Sequence, residues 1–162
     1  MAEEFYETVG IPGLLRASRR TYGAAVRAAF ADAGFDDLPR NGAYVLARVY
    51  DNASALAELI RELGISKQAV SQLIDIMVMR GYLDRTADAD DRRRMLLTLT
   101  PRGEAAVRVS SEAASEVDEE LVKRLSPEGF AALRSSLTVL AKMAGERDRS
   151  AEVAQPALGD GE

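Results

Sequence analysis

The chain has 162 residues, 47% of them apolar, which is enough for one packed domain with appended helices and too apolar for a disordered chain. It contains neither histidine nor cysteine, so it lacks the usual general bases, thiolate and imidazole metal ligands, disulfides, and the Ser-His and Cys-His nucleophile pairs. Carboxylate or lysine chemistry stays open, but the composition points away from an enzyme, and no metal or cofactor site is expected. Net charge is −5, unevenly spread: Arg61 to Arg102 holds eight Lys/Arg against six Asp/Glu, a net of +2, while the remainder holds 13 against 20, a net of −7. No run approaches the 18 consecutive apolar residues of a membrane span, and the acidic start Met1-Ala-Glu-Glu is unlike a secretory signal. A cytoplasmic location and no membrane partner are expected.

Apolar spacing of three and four, with Ser18 among Leu14, Leu15, Tyr22, Val26, Ala29 and Phe30, predicts a helix over 11–33, with Pro12 in its first turn and Gly34 as its stop. A second helix is predicted from about Pro39 to Tyr50, with Val45, Leu46 and Val49 inward. Ser54 then suits the N-cap of a helix over Ala55–Leu63, Gly64 a turn, and Ser66 the N-cap of a helix from Lys67 to about Arg80, ended by Gly81. Leu56, Ala57, Ile60 and Leu63 should face inward from the first of this pair, Ile65 should fill the turn, and Val70, Leu73, Ile74 and Met77 should face inward from the second.

From Tyr82 the period changes. Tyr82–Thr86 and Arg94–Leu99 read as two strands joined by the polar tip Asp88-Ala-Asp-Asp-Arg-Arg-Arg94, a β-hairpin with a long loop. Thr100-Pro101 is a helix start, and that helix should reach about Arg124. Ser126-Pro127 repeats the signal and starts a last helix to about Ala144, followed by a polar, disordered tail over 146–162. The fold class is therefore mainly α with a small β-hairpin.

Helix, turn, helix and hairpin in that order make a winged helix-turn-helix. The second helix would expose Ser66, Lys67, Gln68, Ser71, Gln72 and Asp75 opposite its apolar face. A helix fits the major groove of duplex DNA; glutamine can pair with adenine, and Lys or Ser can reach guanine or phosphate. Adjacent arginines on a projecting hairpin suit a narrow, strongly negative minor groove. The plainer alternatives are a solvated helix face and a charged surface turn. The order of the elements favours the DNA reading over both, with a winged-helix protein-interaction module as the alternative function.

The sequence resembles the MarR (multiple antibiotic resistance regulator) family of winged-helix transcription regulators. The resemblance is carried by Leu56-Ala-Glu-Leu with Gly64-Ile-Ser, by Arg80-Gly-Tyr-Leu-Asp-Arg85, and by Asp90-Asp-Arg-Arg-Arg-Met-Leu-Leu-Thr-Leu-Thr-Pro-Arg-Gly103. It extends more loosely from about Leu14 to Met143. It implies a DNA-binding lobe over 36–103 and a dimerisation region formed by 1–35 and 104–145. The family's Asp-x-Arg wing element matches Asp91-Arg92-Arg93, which implies Arg93 as minor-groove reader and Asp91 as its support. Arg92 and Arg94 would then contact phosphate or form ion pairs. Ser66, Lys67, Gln68, Ser71 and Gln72 match the exposed start of the family's recognition helix.

The resemblance further implies a homodimer, and Leu14, Leu15, Leu137, Leu140 and Met143 are the candidate interface. A two-fold dimer reads a pseudopalindromic operator, and repression is the family's commonest mode. Many relatives respond to small aromatic or anionic effectors, for which Tyr22, Phe30, Tyr44 and Arg48 are the candidate pocket. The lack of cysteine separates the chain from the family's peroxide-sensing branch. One departure stands out: Ile76-Met-Val-Met79 is more apolar than the charged end usual for the recognition helix.

Overall fold

The computed structural model describes residues 6–51, 56–87 and 95–154. Among the described residues, after a short helical stretch at 6–8, the elements follow in order: α1 (Ile11–Asp32), α2 (Gly42–Tyr50), α3 (Leu56–Leu63), α4 (Lys67–Met79), β1 (Leu83–Ala87), β2 (Met95–Leu99) and α5 (Pro101–Ala154). Ser54, the hairpin tip from Asp88 to Arg94 and residues 155–162 lie outside the described residues.

The elements fall where apolar periodicity and caps place them. Pro12 sits in the first turn of α1. Ser66, in extended conformation, accepts a hydrogen bond from the Ala69 amide at 3.2 Å and so caps α4. Gly64 (φ 63°) turns the chain between α3 and α4, a conformation costly for residues with a Cβ. Helix α2 starts at Gly42, three residues later than the expected Pro39. Asn41 takes a left-handed conformation (φ 68°) at its N-cap, and the Gly42 amide closes a turn onto the Pro39 carbonyl.

The hairpin is antiparallel, with Leu83 opposite Leu99 and Arg85 opposite Leu97. Strand β1 packs on α4, and β2 packs on α2. Tyr82, expected as the first strand residue, lies instead in the turn before β1 and is fully buried.

One apolar core joins these parts. It contains Phe30 of α1, Val45, Leu46 and Val49 of α2, Leu59 of α3, and Val70, Leu73, Ile74 and Met77 of α4. Tyr82, Leu83 and Ala106 complete it. Of the inward set expected for α3, Ile60 and Leu63 are half-buried and pack against this core, the burial of Leu56 and Ala57 lies outside the described residues, and Leu59, absent from that set, is fully buried. An eight-residue helix packed on both flanks has a wide apolar stripe, so spacing alone does not single out its deepest position.

By contacts the chain divides into Met1–Val117 and Asp118–Glu162. The first helix falls in the first unit, with the helix-turn-helix and hairpin. In the second part, α5 is interrupted at Ser126 (φ 67°, ψ 162°), immediately before Pro127. Ser126 Oγ donates to Glu128 Oε2 at 2.9 Å and accepts from the Gly129 amide at 3.4 Å, so it restarts the helix as the sequence predicts. The helix then continues to Ala154, past the expected start of a disordered tail at Glu146. Alanine, glutamate and arginine, all good helix formers, fill much of that extension.

Candidate nucleic-acid interface

Helix α4 has two unlike faces. Val70, Leu73, Ile74 and Met77 are buried, while Ser66, Lys67, Gln68, Gln72 and Asp75 are exposed and Ser71 is half-buried. The cap at Ser66 leaves other amides of the first turn directed outward, where the positive end of the helix dipole attracts anions. The polar residues predicted for the recognition helix are thus brought together at its N-terminal end. At the other end Met79 is 78% exposed, while Ile76 and Val78 are half-buried.

The exposed face is tied to the hairpin. Arg85 of β1 donates to Asp75 Oδ1 at 2.5 Å, so this carboxylate on the polar face is matched by a guanidinium. Of the wing residues, Asp91, Arg92, Arg93 and Arg94 lie outside the described residues.

The foot of the hairpin is a polar staple that periodicity did not reveal. The Thr100 hydroxyl donates to the Gly81 carbonyl at 2.5 Å and accepts from the Gly103 amide at 3.0 Å, so one side chain closes the hairpin and caps α5. Arg102 donates to the Arg80 carbonyl at 2.7 Å and to Asp37 Oδ1 at 2.9 Å, and its guanidinium lies 4.3 Å from the centre of the Tyr82 ring. Tyr82 Oη donates to the same Asp37 oxygen at 2.5 Å, and Arg80 donates to the Asp37 main-chain carbonyl. The hydrogen bond from Tyr82, with Arg102 and Arg80 nearby, holds the Asp37 carboxyl below its ordinary range. Burial, reinforced by the bond to Asp37, pushes the Tyr82 hydroxyl up to about 12. The only hint in the sequence was the Leu-Thr-x-x-Gly run; Asp37, 45 residues before Tyr82, carried no local signal.

Three of the four candidate effector residues, Phe30, Tyr44 and Arg48, make structural contacts among the described residues. Phe30 lies in the core, edge-on to Phe35 with ring centres 6.0 Å apart. Tyr44 and Arg48 both donate to Glu62 Oε2, at 2.9 and 2.8 Å, and so pin α3 to α2. Burial, followed by the bond to Glu62, raises the Tyr44 hydroxyl to about 12. A cleft of about 500 Å³ lies elsewhere, between α1 and α5, with Ala29, Ala33 and Ala113 in its wall and the acids Asp32, Glu112 and Glu116. These carboxylates disfavour a small anion in this cleft, which none of the four candidate residues lines. The candidate interface residues Leu14, Leu15, Leu137, Leu140 and Met143 are all exposed. No helix among the described residues is long and apolar enough to cross a membrane.

An amphipathic helix presented by a helix-turn-helix, with a hairpin stapled beside it, defines a winged helix-turn-helix protein. A sequence model of the MarR family matches residues 36–94, and the fold is that of solved MarR structures. The chain is 29% identical over 93 residues to Rv2011c of Mycobacterium tuberculosis, a match covering 57% of this chain and 65% of that protein. Among solved structures it is similar to a mutant MarR from E. coli complexed with operator DNA, at 21% identity and a TM-score of 0.63, covering 84% of this chain and 96% of that one. It is also similar to BpsR of Bordetella bronchiseptica, whose DNA binding is regulated by 6-hydroxynicotinic acid, at 24% identity and a TM-score of 0.61, covering 82% and 93%.

Proposed function

We propose that this protein is a sequence-specific DNA-binding transcription regulator, acting as a repressor. The observation that carries this reading is the division of α4. Four apolar residues anchor it in the core, while Lys67, Gln68 and Gln72 stand free of the core at its capped N-terminal end. Glutamine offers paired hydrogen bonds to adenine, and lysine reaches guanine or phosphate. The sequence resemblance adds Asp91 and Arg93 as the minor-groove element, flanked by Arg92 and Arg94.

The reading includes a homodimer. Leu14, Leu15, Leu137, Leu140 and Met143 leave apolar surface exposed in the single chain, and a second copy would cover it. Two-fold symmetry would set the recognition helices about one DNA turn, roughly 34 Å, apart on a pseudopalindromic operator. Release by a small-molecule effector is proposed on the likeness to BpsR alone. The lobe boundaries 36–103, with 1–35 and 104–145 forming the dimer, belong to the same proposal.

Selection of bound duplexes from a random pool tests it. An enriched inverted repeat is expected, with affinity that falls as salt rises because phosphate contacts release counterions. Lys67→Ala and Gln68→Ala should each weaken binding to the selected site, and Gln68→Ala should relax its sequence preference. Failure to enrich any sequence, or binding indifferent to salt, would overturn the reading.

A further inference from the structure

A two-stranded ribbon has little stability of its own, and strand pairing does not determine the angle at which it leaves the domain. Contacts at its foot must do so. Here Leu83, Leu97 and Leu99 supply apolar packing, which is favourable but weakly directional. Besides the Arg85–Asp75 ion pair, which ties β1 to α4, the directional bonds at the foot converge on one residue. Asp37, in the segment between α1 and α2, accepts from Tyr82 and Arg102 on a single carboxylate oxygen and from Arg80 on its carbonyl. These donors come from the exit of α4, the entry to β1 and the start of α5. Arg102 and Thr100 in turn bind the carbonyls of Arg80 and Gly81, so the two ends of the hairpin are joined to each other as well.

The charge of Asp37 needs its own account. Arg102 matches it with a charge-assisted hydrogen bond, stronger and more geometrically selective than a neutral one. The Tyr82 ring, buried in the core and 6.2 Å from Phe35, fixes the hydroxyl that meets the same oxygen. The anchor is therefore rigid on its core side and ionic on its outer side.

We propose that Asp37 is a positioning residue for DNA reading: it locks the foot of the hairpin to the exit of the recognition helix, so that hairpin and helix are presented at one fixed spacing. This rests on the DNA-reading proposal above, but it makes a separate structural claim. Asp37 itself touches no DNA in this account; it acts through Arg80, Tyr82 and Arg102.

The test uses the full chain, whose lack of cysteine allows specific labelling. Spin labels at Thr86→Cys, on β1, and Arg61→Cys, on α3, both exposed positions, report the hairpin's placement. Affinity for a selected duplex is measured in parallel. The parent should give one narrow distance distribution. Asp37→Ala should broaden it and weaken DNA binding about tenfold, the scale of one lost charge-assisted hydrogen bond. Asp37→Asn, which keeps an acceptor without the charge, should fall between the two. Tyr82→Phe keeps the buried ring and removes one bond, so it serves if Asp37→Ala fails to fold. If these variants melt at a lower temperature yet keep the narrow distance and the affinity, Asp37 is merely structural and the proposal is overturned. If the parent binds no duplex, the DNA reading fails, and the label distances alone decide whether Asp37 places the hairpin.

Discussion

Gly103 is pressed against the carbonyl of Tyr82 so closely that a Cβ at this position would overlap the oxygen. The first turn of α5 thus crosses directly over the turn that leads into β1. The Thr100 hydroxyl, which accepts from the Gly103 amide, holds that turn in place. This contact explains the Leu-Thr-x-x-Gly run: threonine closes the hairpin, and glycine lets the next helix pass over it.

Gly103→Ala should therefore be costly. The clash is with backbone, which cannot swing aside as a side-chain end can, so a loss of about 1–3 kcal/mol is expected, as for other overpacked sites. Denaturant unfolding checks it. Gly145→Ala, where nothing lies near the added carbon, is the control and should be neutral or stabilising, since alanine favours a helix over glycine. Equal midpoints for the two variants would refute the crossing as the reason for glycine.

Leu59→Ala should destabilise the fold by about 2–5 kcal/mol, the range for a buried leucine, because its side chain is fully enclosed. Ile60→Ala, at a half-buried position, should cost clearly less. Chemical denaturation of both variants measures the difference, and a larger loss at Ile60 would place the core on the wrong side of α3.

That pair shows what the sequence made legible. Periodicity over 13 residues identified all four buried residues of α4, because several turns repeat the same face. In α3 only eight residues are available; Ile60 and Leu63 were read inward and pack on the core, but the fully buried Leu59 was missed. Caps were legible where the motif is local, at Ser66, Thr100 and Ser126. The left-handed cap at Asn41 was not, since it depends on how the chain turns after Pro39. The Asp37 anchor was invisible because its partners lie 43 to 65 residues away. The polar face of α4 was readable as a set, but the ion pair of Asp75 with Arg85 required the packing of β1 on α4.

Stability should fall at both ends of the pH range. Tyr82 and Tyr44 ionise near 10 when unfolded and at about 12 when folded. Their contribution is complete below 10 and is lost as pH rises from 10 through 12, since only the unfolded chain gains the charge in that window. Asp37 has the opposite sign: its contribution is present above its unfolded value of 3.8 and is lost as pH falls through the lower folded value. Urea midpoints across the range should decline beyond each edge. Tyr82→Phe and Tyr44→Phe should each flatten the alkaline decline, and Asp37→Asn the acid one. Profiles unchanged by all three substitutions would contradict these assignments.

The pair of Asp75 and Arg85 separates stability from DNA binding. Both side chains are substantially exposed, at 57% and 41%, so removing either should change stability by no more than about 1 kcal/mol. Their effects on a polyanionic partner should differ in sign. Arg85→Ala leaves the Asp75 carboxylate unmatched on the face proposed to enter the groove, where it repels phosphate, and binding should weaken. Asp75→Ala removes that repulsion and frees a guanidinium, so binding should be unchanged or tighter. The double variant should recover part of the loss seen with Arg85→Ala alone. Titration of a selected duplex at low salt reads all four proteins, and the differences should shrink as salt screens them. A double variant as weak as Arg85→Ala would mean that Arg85 contacts DNA directly and that Asp75 has no part in the loss.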